Sequence, residues 1–344
     1  MRIRALSGRF IFGASILSLA VVAAFCYPSV FQLGLTISKP GVQPGYVIFG
    51  APDGNAYAID TQGKVAKKWP SPEPNTELGY TRPLANGNLL ARIQPSKSLA
   101  GAAGANAEVT GADSVIELTQ EGRVVWKYTD RVRSLHHDEE RMANGNTLIV
   151  CSKDLDIPTI SRKLLKDDCL IEVDGQGKIV WEWQTADHID DLELPKEVKA
   201  EIMNGYGARV RTGLGAPPPT KGFDYLHMNA ASPIPESAGH MDPRFKPGNI
   251  IVSDPVDTSI SWEYSADKSN RPIWSFFSHY ISGAQRQPNG NTLICEGANG
   301  RIFEVTQSGE IVWEYVNPFP NLTGKIPNST IFRAAKVAEN WLKR

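Results

Sequence analysis

Two short phrases recur along this chain and restrict it to a repeat architecture. The first is a glycine followed four residues later by a tryptophan, with apolar residues before the ring: GRVVW at 122–126, GKIVW at 177–181 and GEIVW at 309–313. A looser copy runs from Gly63 to Trp69, and another ends at Trp274 in RPIW. The second phrase is a turn that opens an apolar strand: NGNLLARI from Asn86, NGNTLIV from Asn144 and NGNTLIC from Asn289, with a degenerate PGNIIVS from Pro247. Between the two phrases lies a third strand, SVIELT at 114–119, CLIEVD at 169–174 and RIFEVT at 301–306. Asn-Gly tolerates left-handed backbone, so each turn is a hairpin signal. Units this short bury a face only by stacking on their neighbours.

The segment before each NGN supplies a fourth strand, and four-stranded units recurring at roughly 40 to 60 residues describe the blades of a β-propeller. Residues 46–69 provide strands two to four of a further unit. TIFRAAKV at 330–337 is placed to return as its first strand, which closes a ring and leaves no open edge. Five blades are countable directly. The expectation is an all-β propeller over residues 45–337, followed by a tail at 338–344. A short helix is expected near the chain's end, within 335–344. One insertion, residues 186–222, holds a helix candidate, LPKEVKAEIM, and a Gly/Pro-rich run; loops of that length in a compact ring commonly serve as lids or functional loops. Residues 95–113, rich in Ala, Gly and Ser, are expected to form a surface loop.

Composition excludes two classes. A formal net charge of -1 leaves no concentrated basic face for nucleic acid. With 41% hydrophobic and 21% charged residues, the chain is too apolar for disorder. The N-terminus is the exception to the repeat pattern. A basic tail, residues 1–9 with Arg2, Arg4 and Arg9, precedes Phe10–Ile37, which carries no charge. About 20 apolar residues span a bilayer, and arginines ahead of the span keep that end in the cytoplasm. A retained membrane anchor and a signal peptide cleaved near Ala20, Ala23 or Ala24 both fit. Lipidation at Cys26 is disfavoured by Phe25, a bulky residue where a small one is wanted. In each case the propeller is exported, to the periplasm or beyond.

Cys151 and Cys169 lie on neighbouring strand candidates; a disulfide between them and a set of three buried thiols with Cys295 are both open readings. No CxxC or Cys/His spacing suggests a metal, and no cofactor is expected. Cys295 reads as a core thiol and the repeated tryptophans as core rings. His240 and His279 have no evident partner in sequence.

The first strand of each propeller blade faces the central channel. With the units aligned on the NGN turn, His137 falls seven residues before Asn144, and His227 occupies the same slot when HMNAASP is laid on HDEERMA. Ser282 fills it in the unit of Asn289, and Gly79 in that of Asn86. His137, His227 and Ser282 are therefore the candidate catalytic residues. His136, Asp138, Asn229, Arg286 and Arg82 are the candidate ligand-binding residues, with Arg141 close by. Imidazoles suit proton transfer near neutral pH, and guanidinium groups suit two-point contact with sulfate, phosphate or carboxylate. The competing account is a ring of polar groups around a water-filled channel.

The segments HHDEERMANGNTLI, FDYLHMNAASPIP and SGAQRQPNGNTLICEGANGRIFEVTQSGEIVWEY together resemble the bacterial arylsulfotransferase family, over roughly residues 45–337. The resemblance implies six blades, export, and sulfuryl transfer between phenols using channel histidines and an arginine. In that family one histidine carries the sulfuryl group covalently. His137 and His227 match two of the family's histidines. Ser282, in SGAQ, stands where the carrier histidine is expected, and Asp254 and Pro255 stand where the arginine is expected. The expected function is sulfuryl transfer between small phenolic compounds bound in the channel. Its alternative is a non-catalytic ligand- or protein-binding propeller that has lost this chemistry. A quinone-cofactor propeller, suggested by the GxxxW repeats, is weaker because no metal-ligand carboxylate set is evident.

Overall fold

The computed structural model describes residues 32–95, 114–192, 194–205, 222–234, 249–252, 263–272, 275–278, 281–322 and 329–343. The leader up to residue 31, most of the 95–113 loop, the Gly/Pro run of the insertion, His240, Asp254, Pro255, Trp274 and His279 lie outside them. Among the described residues the chain is mostly β, built from antiparallel sheets of four or five strands in a propeller-like arrangement.

One sheet joins the two ends of the described chain. It contains β2 (Tyr46–Gly50), β3 (Ala56–Ile59) and β4 (Val65–Trp69), with β20 (Ala334–Val337) paired to β2, in the order β20-β2-β3-β4. The next runs β5 (Thr76–Pro83), β6 (Leu89–Pro95), β7 (Ser114–Leu118) and β8 (Val124–Thr129). A third contains β9 (Ser134–Arg141), β10 (Thr147–Leu155), β11 (Leu165–Val173) and β12 (Ile179–Gln184); β13 (Phe223–Asp224) adds in parallel to β11. β14 (Ala231–Pro233) and β15 (Ile250–Val252) form a two-stranded ladder. The last sheet holds β16 (Gly283–Arg286), β17 (Thr292–Glu296), β18 (Arg301–Val305) and β19 (Ile311–Val316). β1 (Gly34–Ser38) lies against the outer edge of β19. Residues 34–37, placed by hydropathy at the end of the apolar leader, thus belong to the sheet system: their alternating side chains pair with Glu314–Val316.

The NGN phrase has a structural reason beyond the turn. Gly145 has φ 88°, which a side chain would disfavour, and the first asparagine accepts the N–H of the second, as Asn144 does from Asn146 at 3.0 Å. The second asparagine reaches the glutamate of the following strand: Asn88 to Glu117 at 2.6 Å, Asn146 to Glu172 at 2.5 Å, Asn291 to Glu304 at 2.7 Å. The same glutamate recurs in SVIEL, CLIEV and RIFEV, so one polar network is repeated three times.

The tryptophans tie sheet to sheet. Trp313 Nε1 donates to the Thr61 carbonyl, Trp69 to Thr119 and Trp126 to Asp174, at 3.0 to 3.3 Å. Each acceptor is in the turn before the outer strand of the next sheet, so the ring body packs while its N–H stays satisfied. Trp181, expected in the core, is 39% exposed instead. Its sheet is followed by the short β14–β15 ladder, whose onward turn lies outside the described residues.

Apolar faces pack between successive sheets. Ile48, Trp69, Leu89, Ile93 and Ile116 share one core with Trp341; Leu90, Val115, Ile149, Cys151 and Cys169 share the next. Each such side chain contributes about 1.5–3 kcal/mol when fully buried. Cys151 and Cys169 are directly opposite in the β10–β11 register and are joined as a disulfide, leaving Cys295 as a buried free thiol. The insertion supplies a 3-10 turn at Thr185–His188 and a helix, α1 (Lys196–Met203), whose Ile202 packs on Leu165, Phe223 and Tyr225. After β20 the chain ends in a 3-10 turn, Glu339–Lys343. Among the described residues no helix is long and apolar enough to cross a membrane.

Candidate functional site

Among the described residues, six other than glycine have positive φ, and four of them fall at matching places in successive units: Tyr80 (48°), His137 (60°), His227 (70°) and Ile281 (42°). Left-handed backbone is costly for a residue with a Cβ and gathers at functional sites. For Tyr80 and His137 the cause is a bulge: pairing of β5 with β6 slips between Gly79 and Arg82, and pairing of β9 with β10 slips between Ile149 and Cys151. The turn-based alignment therefore finds the slot of His137 and misses by one residue in two other units. Tyr80, not Gly79, and Ile281, not Ser282, hold the equivalent backbone position.

His137 and His227 meet. Their Nε2 atoms are 2.9 Å apart, and the Asp224 carboxylate hydrogen-bonds His227 Nδ1. The result is a chain from carboxylate to imidazole to imidazole. Burial, reinforced by the neighbouring rings of His136 and His227, pushes the His137 pKa down to about 2, so this ring is neutral. The hydrogen bond to Asp224 raises His227 above the ordinary histidine range against the effect of burial. Burial opposes ionisation of Asp224, but the hydrogen bond and charge of His227 outweigh it and hold the carboxyl below its usual range. Of the two rings His227 is thus the more basic, and the 2.9 Å contact gives a proton a path between them.

The His227 segment is fixed by carboxylates of β11. Asp168 accepts the Met228 N–H at 2.6 Å and stands 3.1 Å from His136 Nε2. That second approach has ion-pair distance without hydrogen-bond geometry. Asp167 receives Tyr225 Oη–H and, at 2.7 Å, Gln184 Nε2–H. Where this segment enters β13, a Cβ at Gly222 would lie 2.4 Å from the backbone of Leu165 and Lys166. Glycine is required there for the close approach.

Two cavities flank the centre. The smaller, about 330 Å3, is lined by His137, Tyr80, Phe332, Ile281, Gln94 and Arg333. The larger, about 1000 Å3, is lined by Arg82, Asp138, Glu140, Arg141, Ser282 and Arg333. Asp138 is buried between two guanidinium groups, Arg82 Nη2 at 2.8 Å and Arg333 Nη1 at 2.5 Å, and Arg82 also binds Glu140 at 3.0 Å. Behind Tyr80, the buried Arg92 lies with Cζ 3.4 Å from the ring centroid and donates to the Leu135 carbonyl at 2.7 Å. Glu139, fully buried beside these groups, is pushed up to about 8 by burial.

The remaining sequence candidates fall apart from the histidine pair. Ser282 is exposed, donates to the carbonyl of Ile281 and lines the larger cavity. Asn229 is exposed and donates to the His227 carbonyl at 3.0 Å. Arg286 donates to the Gly290 carbonyl at 2.8 Å, as Arg141 does to Gly145 at 3.0 Å, so both brace the NGN turn of their own unit. Three residues escaped the sequence reading: Asp224, Tyr80 and Arg333. Asp224 carried a signal, an acid three residues before a histidine. Arg333 lay in a segment read only as a closing strand. Among the described residues, no group of three or more His, Cys, Asp or Glu side chains is arranged to hold a metal ion.

These features define a class: a repeat-built, mostly β protein with a histidine-centred polar site between its sheets. The profile of the arylsulfotransferase (ASST) family matches residues 53–238, more than half of the chain, and the chain belongs to that family. No curated protein matches it. Among solved structures, a protein of unknown function from Bacteroides caccae is similar at 11% identity, with 89% of this chain and 86% of that chain covered and a TM-score of 0.34. A streptogramin B lyase is similar at 13% identity, 83% and 75% coverage and a TM-score of 0.28. A virginiamycin B lyase from Staphylococcus aureus is similar at 15% identity, 84% and 78% coverage and a TM-score of 0.26.

Proposed function

We propose that the chain is an exported, membrane-anchored β-propeller that transfers a sulfuryl group between phenolic compounds, with the Asp224–His227–His137 chain as its acid–base centre. The propeller reading draws on the repeated sheets, the tryptophan contacts from sheet to sheet and the return of β20 to β2. Export is supported by the uncharged leader and by the Cys151–Cys169 disulfide, a bond that persists in oxidising compartments. The observation that carries the chemistry is the 2.9 Å contact between a buried His137 and a carboxylate-backed His227.

In the transfer, the sulfur–oxygen bond to the donor phenol breaks and a sulfur–oxygen bond to the acceptor phenol forms. The acceptor gives its hydroxyl proton to the histidine pair as the departing phenolate takes one from it, with His227, the more basic ring, carrying the charge between the two. The histidine pair then re-forms by passing the gained proton across the 2.9 Å contact, with Asp224 stabilising the charge on His227. The two aromatic rings beside His137, Tyr80 and Phe332, suit the flat faces of phenolic substrates.

The test is turnover of p-nitrophenyl sulfate with phenol by the purified full chain. His137→Ala and His227→Ala are each expected to lower kcat by about two to four orders of magnitude, the usual worth of acid–base catalysis. Undiminished turnover in both variants contradicts the assignment. A second reading, a binding propeller without chemistry, is favoured by one observation: Ser282, which stands where the family's carrier histidine is expected, lines the other cavity. Absence of turnover with every aryl sulfate donor tried selects that reading.

A further inference from the structure

Arg333 is the one arginine that lines both described cavities. It enters from the segment ahead of β20, where sequence reading saw only a strand. Its surroundings are unequal on the two sides. Towards the larger cavity, Arg333 Nη1 binds Asp138, whose carboxylate is oriented by Arg82 Nη2 at 2.8 Å and by the Ala231 N–H at 3.3 Å. Arg82 in turn gives its other terminal nitrogen to Glu140 at 3.0 Å, and Glu140 also accepts from Ser232 at 2.8 Å. Arg82 is thus compensated by two carboxylates, while Arg333 shares one of them.

Towards the smaller cavity, Arg333 stands with the neutral His137 and the rings of Tyr80 and Phe332. A guanidinium carries five N–H donors in a fixed fork, and the described hydrogen bonds of Arg333 use one nitrogen. Glu77 lines the same cavity and accepts from Gln94 Nε2 at 2.8 Å. At about 330 Å3 the space suits a single-ring ligand.

We propose that Arg333 is the anion-binding residue of the His137 cavity, holding the sulfate or sulfonate group of an aromatic ligand while Tyr80 and Phe332 meet its ring. The proposal rests on the sulfuryl-transfer reading of the same site. It assigns to the segment ahead of β20 the guanidinium that the family resemblance leads one to seek near Asp254 and Pro255. Asp138 fixes the arginine's direction, and Arg82 fixes Asp138. His137, being neutral, leaves the positive charge at that end of the cavity to Arg333.

The experiment is calorimetric titration of the full-length protein with p-toluenesulfonate, an inert aryl sulfonate, and separately with phenol. Arg333→Gln is expected to weaken sulfonate binding about tenfold or more, the worth of one charge-assisted contact, and to change phenol binding by less than about twofold. Arg333→Lys keeps a charge beside Asp138 and should recover part of the sulfonate affinity. Arg123→Gln, far exposed on a turn, should alter neither. Near-ultraviolet circular dichroism of each variant checks the fold; should Arg333→Gln be unfolded, the Lys variant and Asp138→Asn carry the comparison. Equal sulfonate affinity in wild type and folded Arg333 variants overturns the proposal, as does a wild type that binds phenol but not sulfonate. Sulfonate binding that depends on Arg333 without any turnover keeps the anion site and removes the transferase reading. Turnover with sulfonate binding indifferent to Arg333 does the reverse.

Discussion

The two histidines that meet at the centre are held by different means. His137 sits in the bulge of strand β9, inside a repeated unit with an NGN turn and its glutamate partner. His227 follows a two-residue strand, β13, and owes its place to long-range side-chain contacts: Asp168 on the Met228 N–H, Asp167 on Tyr225, and the glycine that lets β13 approach β11. A repeated unit can position one histidine by backbone alone. The second, outside that pattern, depends on buried carboxylates that have no such local substitute.

The sharpest way to break this asymmetry is Asp168→Ala. It strands the buried Met228 N–H and removes the charge beside His136, and should cost about 3 kcal/mol in urea unfolding together with most of the turnover. A loss below 1 kcal/mol, about the worth of one ordinary hydrogen bond, would mean that the His227 segment is held otherwise. Gly222→Ala forces a Cβ into the Leu165 backbone and should cost about 2 kcal/mol, displacing His227 more than His137. On the other side of the comparison, Asn146→Ala loses one contact to Glu172 in a network that Asn144 also supports, so about 1 kcal/mol is expected with turnover retained.

A further test concerns pH. Glu139 keeps its proton up to about 8, so its contribution is present below the ordinary glutamate value and is lost as pH rises through about 8. Glu139→Gln should match wild-type stability near pH 5 and exceed it above pH 8 in thermal melts, and unchanged differences across that range would refute the assignment. The histidines work in opposite senses. The depressed His137 costs stability as pH falls below the ordinary histidine value, because only the unfolded chain then takes up the proton. His227, with its value raised, loses its contribution as pH rises through its folded value.

The same contrast explains what could be read from the sequence. Strand order within units was legible because Asn-Gly turns and alternating apolar residues are local signals, and TIFRAAKV was recognisable as a partner for residues 46–69. The His137 slot was legible for the same reason. The slot in other units was not: a turn fixes pairing near itself but not the bulge six residues away that puts Tyr80 in place of Gly79, and Ile281 takes the positive φ ahead of Ser282 just outside its strand. Trp181 looked like Trp126 in sequence, yet its exposure depends on the neighbouring sheet. Asp224 carried only a weak local signal, and Arg333 became visible only once its segment was brought to the cavities of distant strands.

The central claim is that Asp224, His227 and His137 share a proton, one ring neutral and the other holding it. Nitrogen-15 NMR of histidine-labelled protein over roughly pH 4 to 9, spanning the ordinary histidine value of about 6.5, tests this most directly. The account predicts that His137 shows no titration in that window, that His227 keeps its proton above the ordinary value, and that Asp224→Asn lowers the His227 midpoint. Two independent titrations near 6.5, unaffected by Asp224→Asn, would contradict it.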